Sequence, residues 1–485
     1  MLKIYNTLSR SLEEFKPLQP GHVKMYVCGP TVYSYLHVGN FRGPVFFNFV
    51  RNWLEYSGYK VDYAMNFTDV DDKIINRANE ENVTATEIAE RYITEYKKDY
   101  NALGLREHTH NPKVSDFMPQ IIAMIEKLIE NKKAYAVDGD VNFSIQKMSD
   151  YGKLSGRNID DLQAGVRIDV SEKKEHPLDF ALWKQAKVNE NLRGSIWKSP
   201  WGEGRPGWHI ECSAMVKGLF GDQIDIHGGG LDLLFPHHEN EIAQSEGCSG
   251  QHYVKYWVHW NLFNFGGSKM SKSLGNVVNM REFLETQHPE IYKWLVLSVH
   301  YRSVADFSQQ SIDQSVAGLA KVYSALALAN SFVLPDFVED LKYKTELTQA
   351  WVEIEHGLNH DFGTPQAFAV MFEQIRKFNA QFKRGAKSNP TLSGRARLFK
   401  EFIIKFGELL SLFQQPPESF LMQLDDQLLA QKNLSRAQVD AIVAERAQAR
   451  AQKDFKKSDE YRDQLIAMGI SVSDLPTGSF WEVTK

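Results

Sequence analysis

Cysteine is scarce in this chain: Cys28, Cys212 and Cys248 are its three representatives among 485 residues. So few, so far apart, they exclude a disulfide framework and leave thiols free to bind metal or substrate. Long apolar runs are missing too. None reaches the roughly 18 residues of a membrane span, and Met1 to Leu12 has no signal-peptide core and reads as a strand. Strong charge of one sign is also absent. A net charge of −5 gives no global attraction to nucleic acid, so any RNA contact must come from local basic patches. There is no internal repeat and no low-complexity tract. The expected setting is soluble, reducing and cytoplasmic, with no membrane partner. A monomer is expected, because no coiled coil or apolar surface stripe stands out.

A hydrophobic content of 43% is ample for large cores, and the length suits about three or four domains. Val23 to Val27 reads as a strand, broken by Gly29-Pro30. Phe41 to Tyr56 repeats apolar residues at helical spacing (Val45, Phe46, Phe49, Val50, Trp53, Leu54), with Pro44 tolerated in the first turn. Tyr59 to Phe67 reads as a second strand and Asp71 onward as one long helix. This is the βαβ grammar of a doubly wound nucleotide fold. Residues 125–205 break it with charged, Gly- and Pro-punctuated stretches such as Ser171 to His176 and Ser199 to Gly207, and read as an insertion. Strand signals return at Gln223 to Ile226 and at Tyr253 to Phe263. From Ser308 the pattern is almost wholly helical, with breaks near Pro335, Pro365, Pro390 and Pro416-Pro417, and a short tail with Gly469, Pro476 and Gly478.

Two segments carry phosphate chemistry. His37-Val38-Gly39-Asn40 follows the first strand. A helix start there offers free N–H groups and a positive dipole end, Gly39 allows close backbone approach, and His37 and Asn40 can donate to phosphate oxygens. Lys269-Met270-Ser271-Lys272-Ser273 adds mobile positive charge for a departing pyrophosphate. A lone His-x-Gly-Asn is nearly always an ordinary turn, and a solvated lysine loop competes with the second reading. Taken together, in this order and context, they resemble the two signature motifs of class I aminoacyl-tRNA synthetases.

A metal site is the next candidate. If Pro236 starts a helix, His237 and Glu241 sit at i and i+4 on one face. With Cys28 and Cys212 brought in by the fold, they make a Cys₂-His-Glu set suited to Zn²⁺. Spacing alone is a weak warrant, since scattered cysteines are more often small buried residues. His238 could replace His237 through an i, i+3 pairing with Glu241, and Cys248 reads as structural.

Longer segments carry a family resemblance. Met25 to Tyr33, Thr68-Asp69-Val70-Asp71-Asp72-Lys73, Gly204 to Ser213, Asp225 to Glu241, Lys269 to Asn276 and the stretch from Lys453 to Ile470 together resemble cysteinyl-tRNA synthetase over essentially the whole chain. The resemblance implies zinc, one per chain, on Cys28, Cys212, His237 and Glu241. It implies an amino-acid pocket shaped by Cys28, Gly29, Thr31, Thr68, Trp208 and His237. It implies ATP, accompanied by Mg²⁺, at His37, Gly39, Asn40, Gly229, Asp232, Lys269, Met270, Ser271, Lys272 and Ser273, with His37, Asn40, Lys269 and Lys272 acting in catalysis and Asp232 near the ribose. The expected reaction joins L-cysteine to tRNA(Cys) through cysteinyl-adenylate. Departures exist: Asn40 stands where the family usually has histidine, Ser34 where it often has aspartate, and Ser268 where an acid is common before the lysine loop. Asp69, Asp71 and Asp72 are read as capping and dipole residues.

The expected fold class is α/β. It comprises a doubly wound (Rossmann-like) parallel-sheet catalytic domain (1–124 and 206–262) with an insertion (125–205), a lysine-loop region (263–307), an α-helical bundle (308–425) and a small C-terminal RNA-binding domain (426–485). In the last, Arg446, Arg450, Lys453, Lys456, Lys457 and Arg462 could meet phosphates, or simply form a solvated face. Phe480-Trp481 could stack on bases or pin the tail. A ligase joining cysteine to an amino sugar would share the ATP and zinc sets, but the basic C-terminal segment argues against it. A catalytically silent RNA-binding descendant is opposed by the intact motifs.

Overall fold

Residues 1–158, 174–187, 190–265, 278–475 and 478–485 are described by the structure, a computed structural model. They form two units. The first spans Met1–Arg281 with Tyr301–Ala305 and Asn359–Phe362. Its N-terminal stretch, expected as one strand, is a hairpin. β1 (Lys3–Asn6) pairs antiparallel with β2 (Ser11–Glu14), and Arg10, with a φ of 56°, takes part in the turn between them.

β3 (His22–Val27), α1 (Arg42–Tyr56) and β4 (Lys60–Met65) make the expected βαβ unit, with β3 and β4 parallel. α1 is buried from Arg42 to Leu54, which explains why its sequence is apolar around most of its girth. Arg42 itself is buried, and its guanidinium donates to the Leu262 and Ser303 carbonyls at 2.7 Å each, so no charge is left without partners.

The single long helix expected from Asp71 is two helices, α2 (Asp72–Glu81) and α3 (Ala85–Ala102). Asn82 ends the first in the left-handed region at φ 55°, and Thr84 opens the second with a capping box to Glu87. A cap of this kind stabilises a helix start by about 1 kcal/mol, enough to favour a break over a continuous helix. Asp71 caps α2 by accepting from the Lys73 amide at 2.7 Å.

After α4 (Met118–Glu130) a five-stranded antiparallel sheet follows, with strands β5 (Ala134–Val137), β6 (Asp140–Phe143), β7 (Phe180–Gln185), β8 (Trp197–Ser199) and β9 (Gly202–Pro206). Arg205 joins this sheet to α2 through Asp72 at 2.8 Å. The chain then returns to the parallel sheet through α5 (Trp208–Phe220), β10 (Ile224–Gly230), α6 (Glu239–Ser249) and β11 (Val254–Trp260). The strand order is β11-β10-β3-β4, all parallel. β3 leads outward to β4 and β10 leads outward the other way to β11. The order therefore reverses between β3 and β10, and a crevice opens beyond their carboxyl ends, where ligands bind in such sheets. Regular α6 begins at Glu239, not at Pro236; a turn over Leu234–His238, with Phe235 non-helical, precedes it.

The second unit spans Glu282–His300, Asp306–Leu358 and Gly363–Lys485. It holds most of α7 (Met280–Thr286), then α8 (Pro289–Leu297), α9 (Gln309–Asn330), α10 (Leu341–Leu358), α11 (Thr364–Gln381), α12 (Pro390–Leu410), α13 (Pro417–Gln431), α14 (Arg436–Ala451) and α15 (Phe455–Ala467). Pro365, Pro390 and Pro417 stand in the first turns of their helices, where a missing N–H costs nothing. The tail is a second hairpin, β12 (Ile470–Leu475) with β13 (Gly478–Val483); Pro476 lies outside the described residues, as does Ser171. A small core of Leu429, Val439, Val443, Leu465, Ile470 and Val483 joins hairpin to helices. Among the described residues no helix is long and apolar enough to cross a membrane.

One sequence expectation changes here. Arg446 is buried and forks onto Asp474 at 2.7 and 2.9 Å, and Arg450 reaches the same carboxylate at 2.6 Å. Arg446 therefore holds the hairpin and does not face phosphate. Trp481 donates its Nε1–H to Asp440 at 2.8 Å, with Arg436 over its ring, so the tail is pinned. Arg446→Ala leaves Asp474 without its bidentate partner, a loss of about 1–3 kcal/mol. Amide hydrogen exchange in the terminal hairpin should accelerate in that variant, and far less in Arg450→Ala. Equal protection in wild type and Arg446→Ala would contradict the assignment.

Candidate active site and metal centre

The crevice is built from the ends of β3 and β10. The Cys28 amide donates to the Gly228 carbonyl at 3.0 Å, continuing the strand pairing one residue past β3. Gly29 follows because nothing larger fits: a Cβ there would stand 1.8 Å from the Asn66 carbonyl oxygen. The Gly29 amide donates to Asn66 Oδ1 at 2.8 Å, and Thr31 bridges Thr68 in parallel. These contacts turn the chain over a cavity of about 510 Å³. Cys28, Gly29, Thr31, Thr68, Trp208, Cys212 and His237 line it, and so do His37, Gly39, Asn40 and Asp232. Of the expected site residues that are described, all but Gly229 and Glu241 line this one space.

At the rim, His37 precedes a short 3₁₀ turn, Val38–Phe41, that runs into α1. Asn40 Oδ1 accepts from the His37 amide at 3.1 Å. Its carbonyl end is thereby fixed, which leaves the two N–H donors of Nδ2 for a ligand. The loop is also tied from its other edge. The Val38 amide donates to the Val278 carbonyl and the Met280 amide to the Leu36 carbonyl, both at 3.0 Å. Asp232 sits in the turn Leu231–Leu233 just past β10. Gly229 is not among the lining residues; a Cβ there would meet His238 at 2.2 Å. Lys269, Met270, Ser271, Lys272 and Ser273 lie outside the described residues, as does Ser268.

At the floor, four donors from three parts of the chain gather. Ligand atoms of Cys28, Cys212, His237 and Glu241 all lie within 4.8 Å of one another. The two sulfurs are 3.8 Å apart, Cys28 Sγ is 3.6 Å from Glu241 Oε1, and His237 Nε2 is 3.0 Å from the same oxygen. The edges of a tetrahedral zinc site span about 3.3–3.8 Å, while a disulfide needs sulfurs near 2.05 Å. The spacing suits a metal and not a bond. His238 belongs to a second possible set, with Cys28, His227 and Glu241. Its Nε2 is 3.4 Å from Cys28 Sγ but 4.0 Å from Glu241, while its Nδ1 meets His259 Nε2 at 2.7 Å.

The electrostatics are those of a buried anionic cluster. Burial pushes the Glu241 carboxyl up, but the imidazoles of His227 and His237 outweigh it and hold the group well below the usual range. The hydrogen bond from Cys28 is the main cause that draws the Cys212 thiol down to about 6, while burial pushes Cys28 up. The two sulfurs are thus shifted in opposite directions, Cys212 toward the thiolate and Cys28 toward the thiol. Burial lowers the His237 imidazole, but Glu241 reverses this and raises it to about 10. Burial, aided by the neighbouring imidazoles of His237 and His227 respectively, drives His209 and His259 down to about 3, so both are neutral.

Sequence reasoning missed the residues behind the donors. His227 Nε2 and Tyr253 OH both meet Glu241 Oε2, at 2.9 and 3.2 Å, leaving Oε1 toward the sulfurs. His209 Nδ1 contacts His237 Nδ1 at 3.0 Å, and Trp208 stacks on His237 at 4.4 Å between ring centroids. One signal was available: six of the chain's 15 histidines fall between residues 209 and 259. Cys248 is buried away from the cluster. Asp69 accepts from Ser115.

The family model for the tRNA synthetases class I (C) catalytic domain matches residues 14–317, that for the DALR domain 353–414, and that for the cysteinyl-tRNA ligase anticodon binding domain 435–481. A cysteine–tRNA ligase of Bdellovibrio bacteriovorus is 62% identical over 100% of both chains, and one of Geobacter metallireducens is 46% identical over 99% of both. Among solved structures, Mycobacterium tuberculosis methionyl-tRNA synthetase in complex with methionyl-adenylate matches with a TM-score of 0.60 at 13% identity, over 84% of this chain and 93% of that one, which speaks to the fold alone. End-to-end identity at that level, with the three family segments in order along one chain, leads to a single assignment: the chain belongs to the class I cysteine–tRNA ligase family.

Proposed function

We propose that the crevice between β3 and β10 activates cysteine with ATP at its rim and selects the substrate sulfur at its floor. The chain acts as a cysteine–tRNA ligase. A carboxylate oxygen of cysteine attacks the α-phosphorus of ATP, and the bond to pyrophosphate breaks. A terminal ribose hydroxyl of tRNA(Cys), the 2′-OH in this class, then attacks the activated carbonyl and releases AMP. The observation that carries this reading is one cavity lined both by Cys28, Cys212 and His237 of the four-donor cluster and by His37 and Asn40.

His37 and Asn40 donate to phosphate oxygens, and Asp232 meets the ribose. Lys269 and Lys272 neutralise charge on the departing pyrophosphate, and Mg²⁺ accompanies the nucleotide. Placement of this kind supplies most of what phosphoryl chemistry needs from a protein. Thr68 and Trp208 close the amino-acid pocket around the substrate.

Zn²⁺ is the metal that the donor set fits best, because two sulfurs, an imidazole and a carboxylate suit a borderline-soft cation. When bound, it supplies a centre that favours a substrate thiolate over an alcohol. Cysteine and serine differ by one atom, a margin that ordinary pocket contacts exploit poorly. His227 and Tyr253 keep Glu241 aimed at the cluster, and neutral His238 and His259 fill the space behind it without adding charge.

At the C-terminal end, Arg446 is engaged with Asp474. The exposed Lys453, Lys456, Lys457 and Arg462, with exposed Phe455 among them, are the groups that meet the anticodon arm. A match to an anticodon-binding domain gives the amino-sugar acceptor no support. We place the protein in the cytoplasm as a monomer.

Two experiments test this reading. Zinc-loaded protein given ATP, labelled cysteine and a total tRNA pool should yield cysteine ester-linked to tRNA; absence of charging with intact ATP–pyrophosphate exchange would point to another acceptor. Cys28→Ala should lose cysteine binding and bound zinc while still binding ATP. Selective loss of ATP binding in that variant would overturn the division of labour between floor and rim.

A further inference from the structure

We infer that Arg281 is a positioning residue for the ATP end of the cavity, acting through the loop that carries His37. The inference rests on the ATP reading of His37 and Asn40 given above.

The loop Leu36–Val38 is paired with residues 278–280 by an isolated antiparallel bridge, His37 to Asn279, and by the two 3.0 Å backbone hydrogen bonds from Val38 and Met280. Each such bond contributes only about 1 kcal/mol net, and neither segment belongs to a sheet that would enforce the pairing. The residue that follows the bridge supplies the anchor. The Arg281 guanidinium reaches Asp99 Oδ1 from Nε at 3.3 Å and from Nη2 at 3.1 Å, and also pairs with the Glu95 carboxylate. Glu95 and Asp99 are one turn apart on α3, and Asp99 is buried. Over the guanidinium lies the ring of Tyr35, with Arg281 Cζ 4.9 Å from its centroid.

Tyr35 precedes His37 by two residues, so one cation grips both sides of the bridge. α3 supports the arrangement from beneath. Tyr92 meets Tyr35 edge-on at 5.5 Å, and Tyr96 stacks on Phe41, the last residue of the 3₁₀ turn, at 5.3 Å. Arginine suits the position because a planar guanidinium can fork onto carboxylates and lie against a ring at once, which an ammonium cannot. Arg281 does not line the cavity. Its effect on ATP passes through the placement of His37, and a small misplacement of a binding group is felt strongly in rate and affinity.

The test is cysteine-dependent ATP–pyrophosphate exchange on zinc-loaded full-length protein, with bound zinc measured alongside. Arg281→Ala should raise KM for ATP about tenfold or more, with KM for cysteine and zinc content unchanged, and Arg281→Lys should recover part of the loss. If Arg281→Ala does not accumulate as folded protein, Asp99→Asn, which keeps the shape of the buried partner but weakens the fork and does not line the cavity, carries the same expectation with a smaller rise. An unchanged KM for ATP in the folded variant, or a parallel rise for ATP and cysteine, would overturn the inference. His37→Ala, run beside them, separates the two ideas. If it leaves KM for ATP unchanged, the ATP reading itself fails; if it raises KM while Arg281→Ala does not, only the positioning role fails.

Discussion

The hydrogen bond from the Cys28 amide to the Gly228 carbonyl, 3.0 Å long, closes the seam on which the candidate site of the first unit is arranged. It extends the parallel pairing of β3 with β10 beyond the last strand residue and sets a sulfur at the floor of the crevice. Among the described residues, the candidate ligands and phosphate-binding groups enter from the two sides of that seam. β3 delivers Cys28 and the turn into the His37 loop. β10 delivers His227 and the turn carrying Asp232. α5 brings Cys212, and the turn over Leu234–His238 with the start of α6 brings His237 and Glu241. Gly29, with no room for a side chain beside the Asn66 carbonyl, lets the chain leaving β3 pass close to the end of β4.

Gathering two sulfurs and a carboxylate in a buried space is electrostatically expensive unless each has a partner. The protein's answer is a shell of histidines that hold different charge states according to their neighbours. His237, against Glu241, is raised; His209, His238 and His259, surrounded by apolar matter and other imidazoles, are depressed. Glu241 is divided between two tasks, Oε2 held by His227 and Tyr253 and Oε1 turned to the sulfurs. Donors oriented this way before a ligand arrives need little rearrangement to accept one.

Much of the fold was legible because its signals are local. The alternation of strand, loop and apolar helix from Val23 to Phe67 gave the βαβ unit, since period and turn chemistry act within a few residues. The break between α2 and α3 was also written locally, in Thr84 and Glu87, and was overlooked because the helical period runs on through it. Contacts distant in sequence were not readable. Arg446 looked like a phosphate-binding arginine because Asp474 is 28 residues away, and the roles of His227 and Tyr253 depend on where Glu241 comes to rest. The four donors were nameable as residue types, but only the sheet order brings them within reach of one another. Gly229, expected at the ATP site only through the family resemblance, stands where His238 leaves no room for a side chain, a contact no local pattern shows.

The central claim is that the floor of the crevice selects its substrate through sulfur bound at the Cys28–Cys212–His237–Glu241 cluster. X-ray absorption at the zinc edge, on zinc-loaded protein before and after addition of cysteine, tests it most directly. The account predicts that the two sulfur neighbours supplied by Cys28 and Cys212 become three when cysteine binds, and stay two when serine is added at any concentration. An unchanged sulfur count on cysteine binding would contradict it.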